Sequence, residues 1–240
     1  KPITVLNTIL NHLKNKGIHF KYNHVFSGWD TQNNLLINNE ITYSDYTVFS
    51  LGGGSWKITG SDGSWLKTFE EKGIKTIPFE ASNCAFKVDW NSRFIQENEG
   101  IPLKNITISC AKKQQKGEAV ITRFGLEGNA IYALSPQIRE QLKLHNKALI
   151  CIDFKPTFTL ENVYSKIKNS SFKNTTQILK KELKLSPSQI TLLKTYLSKD
   201  SYLNTVILSK YIKKFPLEIN DLSILDEAIS TVGGIDINAV

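Results

Sequence analysis

Three consecutive glycines at residues 52–54 are the feature of the sequence that most directly indicates binding chemistry. They follow the apolar run at residues 46–51, "YTVFSL", which predicts a short buried strand. A glycine at the end of a strand in an open α/β sheet lets the backbone approach a cofactor more closely than a side chain permits. The start of the next helix, near Ser61 to Ser64, offers free N–H groups and a positive dipole end. The pattern therefore favours either a tight turn or a site for a phosphate-bearing ligand, although neither a P-loop nor a G-x-G-x-x-G is present.

The residues that most often act as nucleophiles or metal ligands show no informative spacing. Three cysteines without a C-x-x-C pair indicate neither a disulfide framework nor a zinc site, and the simplest interpretation of each is a buried thiol. Four histidines lack metal-ligand spacing, so we predict no metal. These residues are Cys84, Cys110, Cys151, His12, His19, His24 and His145.

The bulk composition is that of a globular protein. The chain has 240 residues, of which 40% are hydrophobic, enough for one large domain or two small ones. It has no apolar run of the roughly 20 residues that a membrane span needs and no signal-peptide pattern, so we predict a cytoplasmic protein without membrane contact. It begins with Lys1 and contains no methionine, which favours an excised or processed piece.

Positive charge is concentrated in one part of the chain. The net charge is +8, and residues 157–220 hold eleven lysines and no arginine against four acids, which leaves the remainder close to neutral. A basic segment attracts polyanions such as RNA. Lysine-rich helix faces are also often only solvated surface, and both interpretations stay open.

The first third of the chain predicts alternating helix and strand. Residues 2–16 have apolar side chains at spacings of three and four, with a proline at the start and a glycine after the end, as in an amphipathic helix. Residues 18–22 alternate as in a strand, and "LLINNEITY" at 35–43 predicts a hairpin. A short helix capped by Ser61 or Asp62 should end before Gly73.

The middle of the chain predicts strands and the later part predicts helices. One helix with Ser135 as its cap interrupts the strands. From 157 to 215 the periodicity is helical, with a capping box at 186–189, and the closing segment becomes extended again. The predicted strands are "KTIPFEA", "CAFKVDW", "KNITISCA", "EAVITRF" and "ALICIDF". We therefore expect an α/β and α+β multidomain protein with a small barrel or sandwich and a compact helical subdomain.

Four stretches together resemble one protein family. "SLGGGSWKITGSDGSW" resembles the A-L-G-G-x-S-W-x-x-x-G-S-D-G-x-W segment of the BaiN/YhiN-type NAD(P)/FAD-dependent flavoproteins, in particular their uncharacterised branch. The resemblance continues, in the same order, in "PFEASNCAF", "GEAVITRFGLEGNAIYALS" and "LDEAISTVGGI". It covers nearly the whole chain.

The resemblance implies a flavin domain that is discontinuous in sequence. Residues 1–72 would be part of a Rossmann-like FAD-binding domain, 73–156 an inserted β-barrel, 157–222 a helical subdomain, and 223–240 the returning segment of the FAD-binding domain. The family's N-terminal G-G-G-x-A-G and its later G-E-x-x-D and T-G-G-Y segments are not in this sequence. We therefore expect a fragment that lacks part of its cofactor site and is inactive in isolation.

The resemblance also implies roles for individual residues. A glycine-rich strip would pass near the FAD pyrophosphate or ribitol, and a glycine pair in the returning segment would approach the isoalloxazine ring. Cys84 and Glu127 are the candidates for catalytic proton transfer while the flavin moves hydride. Trp56 and Trp65 would cover the flavin or belong to the core. The predicted cofactor-binding residues are Gly52, Gly53, Gly54, Ser55, Gly60, Asp62, Gly63, Gly233 and Gly234.

Three functions follow as hypotheses. The first is an FAD-dependent oxidoreductase, linked to NAD(P)H or another donor and acting on a small molecule or an RNA base. The second is RNA contact through the lysine-rich helices, which is compatible with the first if the enzyme reduces a base in RNA. The third is a catalytically inert interaction or structural domain.

Overall fold

The computed structural model describes residues 1–239 and begins with a helix and a small sheet. The helix predicted at residues 2–16 is confirmed, with Pro2 in its first turn and Gly17 in a left-handed conformation after its end. The predicted hairpin is also confirmed, with its turn at Asn38 and Asn39. The elements of this region are α1 (Pro2–Asn15), β1 (Phe26–Trp29), β2 (Leu35–Ile37), β3 (Glu40–Thr42), a 3-10 turn (Lys57–Thr59) and α2 (Trp65–Glu71).

Two strands predicted in this region are wrong. Residues 18–22 form no strand, and residues 46–51 form none either. The side chain of Val48 is 87% exposed, so the apolar run before the glycines does not enter a core. Within the run, Phe49 contacts other aromatic rings, lying 5.0 Å from Phe26 and 5.2 Å from Phe69 between ring centroids. Aromatic packing, not strand pairing, therefore anchors the run.

A curled seven-stranded antiparallel sheet forms the centre of the molecule, in the order β10-β9-β6-β7-β8-β5-β11. Four of the five predicted strands lie in it. Its elements and the helices between them are β5 (Phe86–Lys87), α3 (Ser92–Asn98), β6 (Pro102–Cys110), β7 (Lys113–Thr122), β8 (Gly125–Glu127), α4 (Asn129–Tyr132), α5 (Ser135–His145), β9 (Ala148–Asp153), β10 (Phe215–Ile219) and β11 (Asp221–Leu222). Side chains alternate along β6, with Ile106 and Ile108 fully buried and Thr107 and Ser109 half-buried on the outer face.

The sheet is strongly curled but is not a closed barrel. Its edge strands, β10 and β11, are not paired with each other within residues 1–239, and the hydrogen-bonded order stays open. The two edge strands are consecutive in the sequence, because only Asn220 separates the end of β10 from the start of β11. The Asn220 amide donates to the carbonyl of Lys87 in β5 at 2.9 Å. The predicted β-barrel is therefore present in part, as a curled sheet that does not close and whose edges meet at one residue.

The predicted helical subdomain is present as five helices packed beside the sheet. They are α6 (Leu160–Lys168), α7 (Thr175–Lys181), α8 (Pro187–Tyr196), α9 (Lys199–Leu203) and α10 (Thr205–Lys213). The predicted capping box at Ser186 and Gln189 is confirmed, and Asn174, Ser198 and Asn204 cap three further helices. Ser135 does not cap α5, because it is the first residue of the helix and Leu134 occupies the cap position; its hydroxyl lies 2.6 Å from the Tyr132 carbonyl and 3.0 Å from the Ser82 carbonyl and donates its single proton to this pair.

A separate two-stranded ribbon joins distant parts of the chain. Strand β4 (Thr76–Ala81) pairs antiparallel with β12 (Thr231–Ile235), with Ala81 opposite Thr231. No parallel strand pair occurs among residues 1–239, so the Rossmann-like arrangement stays a prediction, as do the domain boundaries. The sheet also includes residues 215–222, which the predicted boundaries assign to the helical subdomain. Over the described residues, none of the helices combines the length and the apolar character that a bilayer crossing requires.

Candidate functional site

The structure brings the predicted glycine-rich stretches together beside the β4–β12 ribbon. The first stretch, which we call the glycine strip, comprises residues 52–55 and lies against Thr231 and Leu225 of the returning segment and against Phe79 of β4. Its neighbour Trp56 donates its backbone N–H to the Asp226 carbonyl at 3.1 Å. Segments that are far apart in the sequence therefore form one surface, as the resemblance implies.

Two side chains fix the carbonyl groups of the glycine strip and its neighbour Leu51. The Ser61 hydroxyl lies 2.7 Å from the Leu51 carbonyl and 2.6 Å from the Gly53 carbonyl, and it donates its single proton to this pair. The Trp65 indole N–H donates to the Gly52 carbonyl at 3.1 Å. Both donors lie at or just before the start of α2, so the helix holds the strip in position.

The backbone N–H groups of the glycine strip are left without acceptors. Within residues 1–239, none of the backbone amides from Ser44 to Ser55 donates a hydrogen bond, and the glycine strip is the end of this run, where Ser61 and Trp65 hold the carbonyls. Gly52 is exposed, Gly53 and Ser55 are half-buried, and Gly54 is buried. Buried or half-buried amides without partners are costly, and successive free amides suit an anion such as a phosphate. This observation fits the pyrophosphate of FAD at the glycine strip.

Close packing explains part of the glycine content independently of any ligand. A Cβ at Gly53 would lie 2.4 Å from the Thr231 hydroxyl oxygen, and one at Gly63 would lie 2.8 Å from the Phe79 ring. A Cβ at Gly54 would lie 3.2 Å from Phe79, which is a tight contact. Packing therefore restricts these positions to glycine, whether or not the strip binds a ligand.

Gly60 and Asp62 form the exposed turn before α2. Gly60 has a φ of +115°, and a Cβ at this position would meet no other atom within 4 Å, so its backbone conformation alone requires glycine. Asp62 accepts a hydrogen bond from the Ser64 amide at 2.9 Å. Hydrogen bonds from the Ser64 side chain and backbone lower the pKa of Asp62. The predicted capping of this helix by Ser61 or Asp62 is wrong, because α2 begins at Trp65 and its N-cap residue is Ser64, which makes no side-chain capping hydrogen bond.

Gly233 and Gly234, predicted to approach the flavin ring, form a bulge in β12. The register of the ribbon shifts between Val232 and Gly234. A Cβ at Gly233 would lie 2.4 Å from the Pro78 carbonyl oxygen, and Gly234 is buried with a φ of +119° close to the Trp65 ring. The bulge therefore accounts for both glycines, and their contact with a flavin stays a prediction.

The two predicted catalytic residues lie near each other at the junction of the ribbon and the sheet. Cys84 is 1% exposed and packs with Ala81 and Ala228. Burial raises the pKa of the Cys84 thiol to about 11, and the charge of Glu127 acts in the same direction. A thiol with this pKa is protonated at neutral pH. It is suited to hold a proton and unsuited to act as a thiolate nucleophile.

Tyr132 joins this pair, although nothing in the sequence pattern indicates it. Its hydroxyl donates to a carboxylate oxygen of Glu127 at 3.3 Å. Burial raises the pKa of Tyr132, and the Glu127 charge adds to the effect. Glu127 and Tyr132 are both half-buried and Cys84 is buried, so solvent reaches the two hydrogen-bonded members of the group. Cys84, Glu127 and Tyr132 together can store and transfer protons.

A cleft of about 470 Å³ lies beside the junction. It is bounded by Glu80 and Ala81 of β4, by α5, and by residues 221–225, the last of which contacts the glycine strip. Arg139 of α5 is only 13% exposed in its side chain and donates to the Ala81 carbonyl at 3.3 Å. Lys143 pairs with Glu80 at 2.6 Å. Arg139 lies within an ordinary helical pattern, so the sequence provided no signal for it.

The lysine-rich helices carry mostly uncompensated charge. Of the eleven lysines in residues 157–220, Lys213 alone pairs with a carboxylate within residues 1–239, at 2.6 Å from Asp153. Lys166, Lys168 and Lys194 lie over aromatic rings at 5.3 to 5.8 Å from the ring centroids. These five helices, α6 to α10, which we call the helical module, therefore present a positive surface. RNA contact stays a prediction.

Comparison with known proteins identifies one family. Residues 80–230, well over half of the chain, match the family model for the HI0933-like protein barrel and H2TH domain. A search of curated proteins gives no match. The matched range includes the curled sheet, the helical module and the junction, while the glycine strip precedes it.

Proposed function

Because the chain belongs to the HI0933-like protein family, which is associated with flavoproteins, we propose that it forms part of a flavin-dependent oxidoreductase. The observation that carries the proposal to specific residues is the row of free amides in the glycine strip, residues 52–55. FAD is the proposed cofactor, with NAD(P)H as the proposed electron donor. FAD bound at the strip would supply hydride transfer to and from the substrate.

In this proposal the residues of the glycine strip bind FAD and orient it. The amides of Gly52 to Ser55 donate hydrogen bonds to phosphate oxygens, and Ser61 and Trp65 keep the carbonyls engaged so that the strip is preorganised. The exposed turn at Gly60, Asp62 and Gly63 borders the strip. A preorganised strip lowers the ordering cost of binding.

The junction supplies proton transfer and the cleft holds the substrate. In this proposal the Glu127 carboxylate accepts a proton from the substrate or returns it, while the Tyr132 hydroxyl keeps its own proton and orients the carboxylate through their 3.3 Å hydrogen bond. The buried Cys84 thiol lies beside them. The cleft is lined by Arg139 and Lys143 and equally by the carboxylates of Glu80 and Asp221, so in this proposal it suits a small polar molecule or a base that both accepts and donates hydrogen bonds.

The test measures FAD binding to the full-length protein, by its visible absorbance after purification and by titration of the stripped protein. Ser61→Ala should weaken FAD binding by about fivefold, because one hydrogen bond that holds the strip contributes about 1 kcal/mol. Ser44→Ala is the matched control, since Ser44 is exposed and lies 3.0 Å from the Thr47 hydroxyl outside the strip. A full-length protein that purifies colourless and binds no added FAD would refute the proposal.

A second candidate function is RNA contact through the helical module. Ten of its eleven lysines have no carboxylate partner within the described residues, and this uncompensated charge favours a polyanion. Binding to single-stranded RNA should weaken with salt at a slope of about 0.7 per phosphate contact. Neutralising Lys166, Lys168, Lys180 and Lys181 should reduce that slope. An affinity that is indifferent to salt would leave the positive face as solvated surface only.

A further inference from the structure

A groove on the outer face of the curled sheet is separate from the strip, the junction and the cleft. Side-chain alternation places Thr107 and Ser109 of β6 and Cys151 and Asp153 of β9 on this outer face, because their neighbours in sequence fill the core. Ser109 lies directly opposite both Cys151 and Gln114 in the paired strands. The part of the face around Ser109 is therefore lined by hydroxyl, amide and thiol groups, with the Asp153 carboxylate at one side and Leu149 at the other.

The groove consists of two adjoining depressions that share Cys151, Lys213 and Lys214. One, of about 300 Å³, is the polar part and includes Thr107, Ser109 and Gln114. The other, of about 490 Å³, is mainly apolar and includes Tyr211. Each lies within or near the size range of small-molecule sites in proteins.

The charges of the groove favour an anion. Lys210 and Lys214 line the apolar part, and neither pairs with a carboxylate in residues 1–239. Three acids are near. Asp153 is compensated by Lys213 at 2.6 Å, and Glu218, which lies opposite Leu149, is compensated by Lys147 at 2.9 Å. Glu161 lies one position beyond Leu160 at the far end. The local excess is therefore positive at the boundary between the polar and the apolar parts.

The three properties of the groove fit one chemical class. Hydroxyl and amide groups donate to and accept from the edge of a base, a tyrosine ring and a proline offer a stacking surface, and ammonium groups bind phosphate. A fatty acid would leave the polar part unused, and an inorganic anion would leave the apolar part unused. A nucleotide uses all three.

We propose that this groove binds a nucleotide, with its base over Tyr211 and Pro216 and its phosphate at Lys210 and Lys214. The nucleotide is either free or an unpaired residue of an RNA strand. The RNA form rests on the second function proposed above, whereas the free form is independent of it, and neither depends on flavin binding.

The test titrates the full chain with uridine 5′-monophosphate, and with uridine and ribose 5-phosphate as probes that lack the phosphate or the base. Binding is followed by calorimetry and by NMR shift changes. The complete nucleotide should bind at least about tenfold more tightly than either part, because both stacking and charged hydrogen bonds contribute. Equal affinity for ribose 5-phosphate would reduce the site to a phosphate contact and overturn the proposal.

Variants locate the site. Lys210→Gln with Lys214→Gln should weaken nucleotide binding by about tenfold or more. Lys14→Gln with Lys16→Gln removes the same charge from the exposed end of α1, outside the groove and outside the lysine-rich helices, and should leave nucleotide binding unchanged. Tyr211→Ala should cost at least about fivefold, and Tyr211→Phe should retain the stacking and the affinity. Equal effects of the two lysine pairs would show general electrostatic attraction and refute the groove.

An RNA arm separates this proposal from the second function. A single-stranded oligoribonucleotide should be displaced by uridine 5′-monophosphate if its unpaired base occupies the groove. Nucleotide binding without RNA binding supports the groove and refutes the RNA function. RNA binding that neither the nucleotide nor the Lys210 and Lys214 pair of substitutions affects supports the RNA function and refutes the RNA form of the groove proposal. The groove itself is refuted if uridine 5′-monophosphate also fails to bind.

Discussion

The Cys84 thiol provides a quantitative test of the junction. Its pKa is about 11, against an ordinary 9.0, because the side chain is almost completely buried. At pH 8 the thiolate fraction should therefore be about a hundredfold lower than for an ordinary thiol, and burial slows access further. We expect Cys84 to resist alkylation by iodoacetamide while the half-buried Cys151 reacts. Mass spectrometry of the alkylated peptides gives the rate at each cysteine.

The same pKa predicts how stability depends on pH. The folded protein holds the Cys84 proton up to about pH 11, whereas the unfolded chain loses it near 9.0. The free energy of unfolding should thus fall as the pH rises from about 9 to about 11, by up to about 2 to 3 kcal/mol. Cys84→Ser should remove this part of the pH dependence, and Cys151→Ser should keep it. Fast alkylation of Cys84 in the folded protein at neutral pH would refute the reasoning and indicate a reactive thiolate.

Four further substitutions, one of them a matched control, test the fold around the sites. Gly125→Ala should cost at least about 3 kcal/mol in urea unfolding, because its Cβ would lie 1.8 Å from the Phe86 carbonyl oxygen and would part β5 from β8. Gly73→Ala is the control, because no atom lies within 4 Å of the added Cβ, and it should cost only about 1 to 2 kcal/mol for its left-handed φ. Equal costs for Gly125→Ala and Gly73→Ala would contradict the packing argument. Lys213→Met should cost about 3 kcal/mol by leaving the Asp153 carboxylate half-buried without its partner, and a change below about 1 kcal/mol would contradict this. Trp65→Phe should lower the free energy of unfolding by about 1 kcal/mol and increase proteolysis at residues 52–55, because it removes the indole N–H that holds the Gly52 carbonyl. Unchanged proteolysis would show that the indole does not fix the strip.

Elements with strong local signals could be predicted from the sequence. The strands of the sheet alternate or run as apolar segments between turns, and the capping box at Ser186 and Gln189 is a local hydrogen-bond pattern, so both are readable residue by residue. The strand predicted at residues 46–51 is wrong because strand propensity is satisfied only when a neighbouring strand is available. The edge meeting at Asn220 is a property of the whole sheet and has no local signal.

The candidate site was predictable only in part, for a similar reason. The glycines mark the strip in the sequence, and the resemblance indicates their proximity to the returning segment. The conformation of the strip depends on Ser61 and Trp65, which donate to its carbonyls. These contacts arise from tertiary packing and have no signal in the local sequence. Tyr132 and Arg139 lie in helices with ordinary periodicity, so only the packing of those helices against Cys84 and Glu80 identifies them.

The ribbon of β4 and β12 has a consequence for how the molecule is made. Strand β4 leaves the ribosome long before its partner, since the pairing of Ala81 with Thr231 spans the curled sheet and all five helices of the module. During synthesis, β4 remains an unpaired edge that a chaperone or another nascent chain can bind. Pairing across so large a sequence separation is slow. Formation of the ribbon is therefore expected to be a late folding event, and it is the event that assembles the glycine strip against the returning segment.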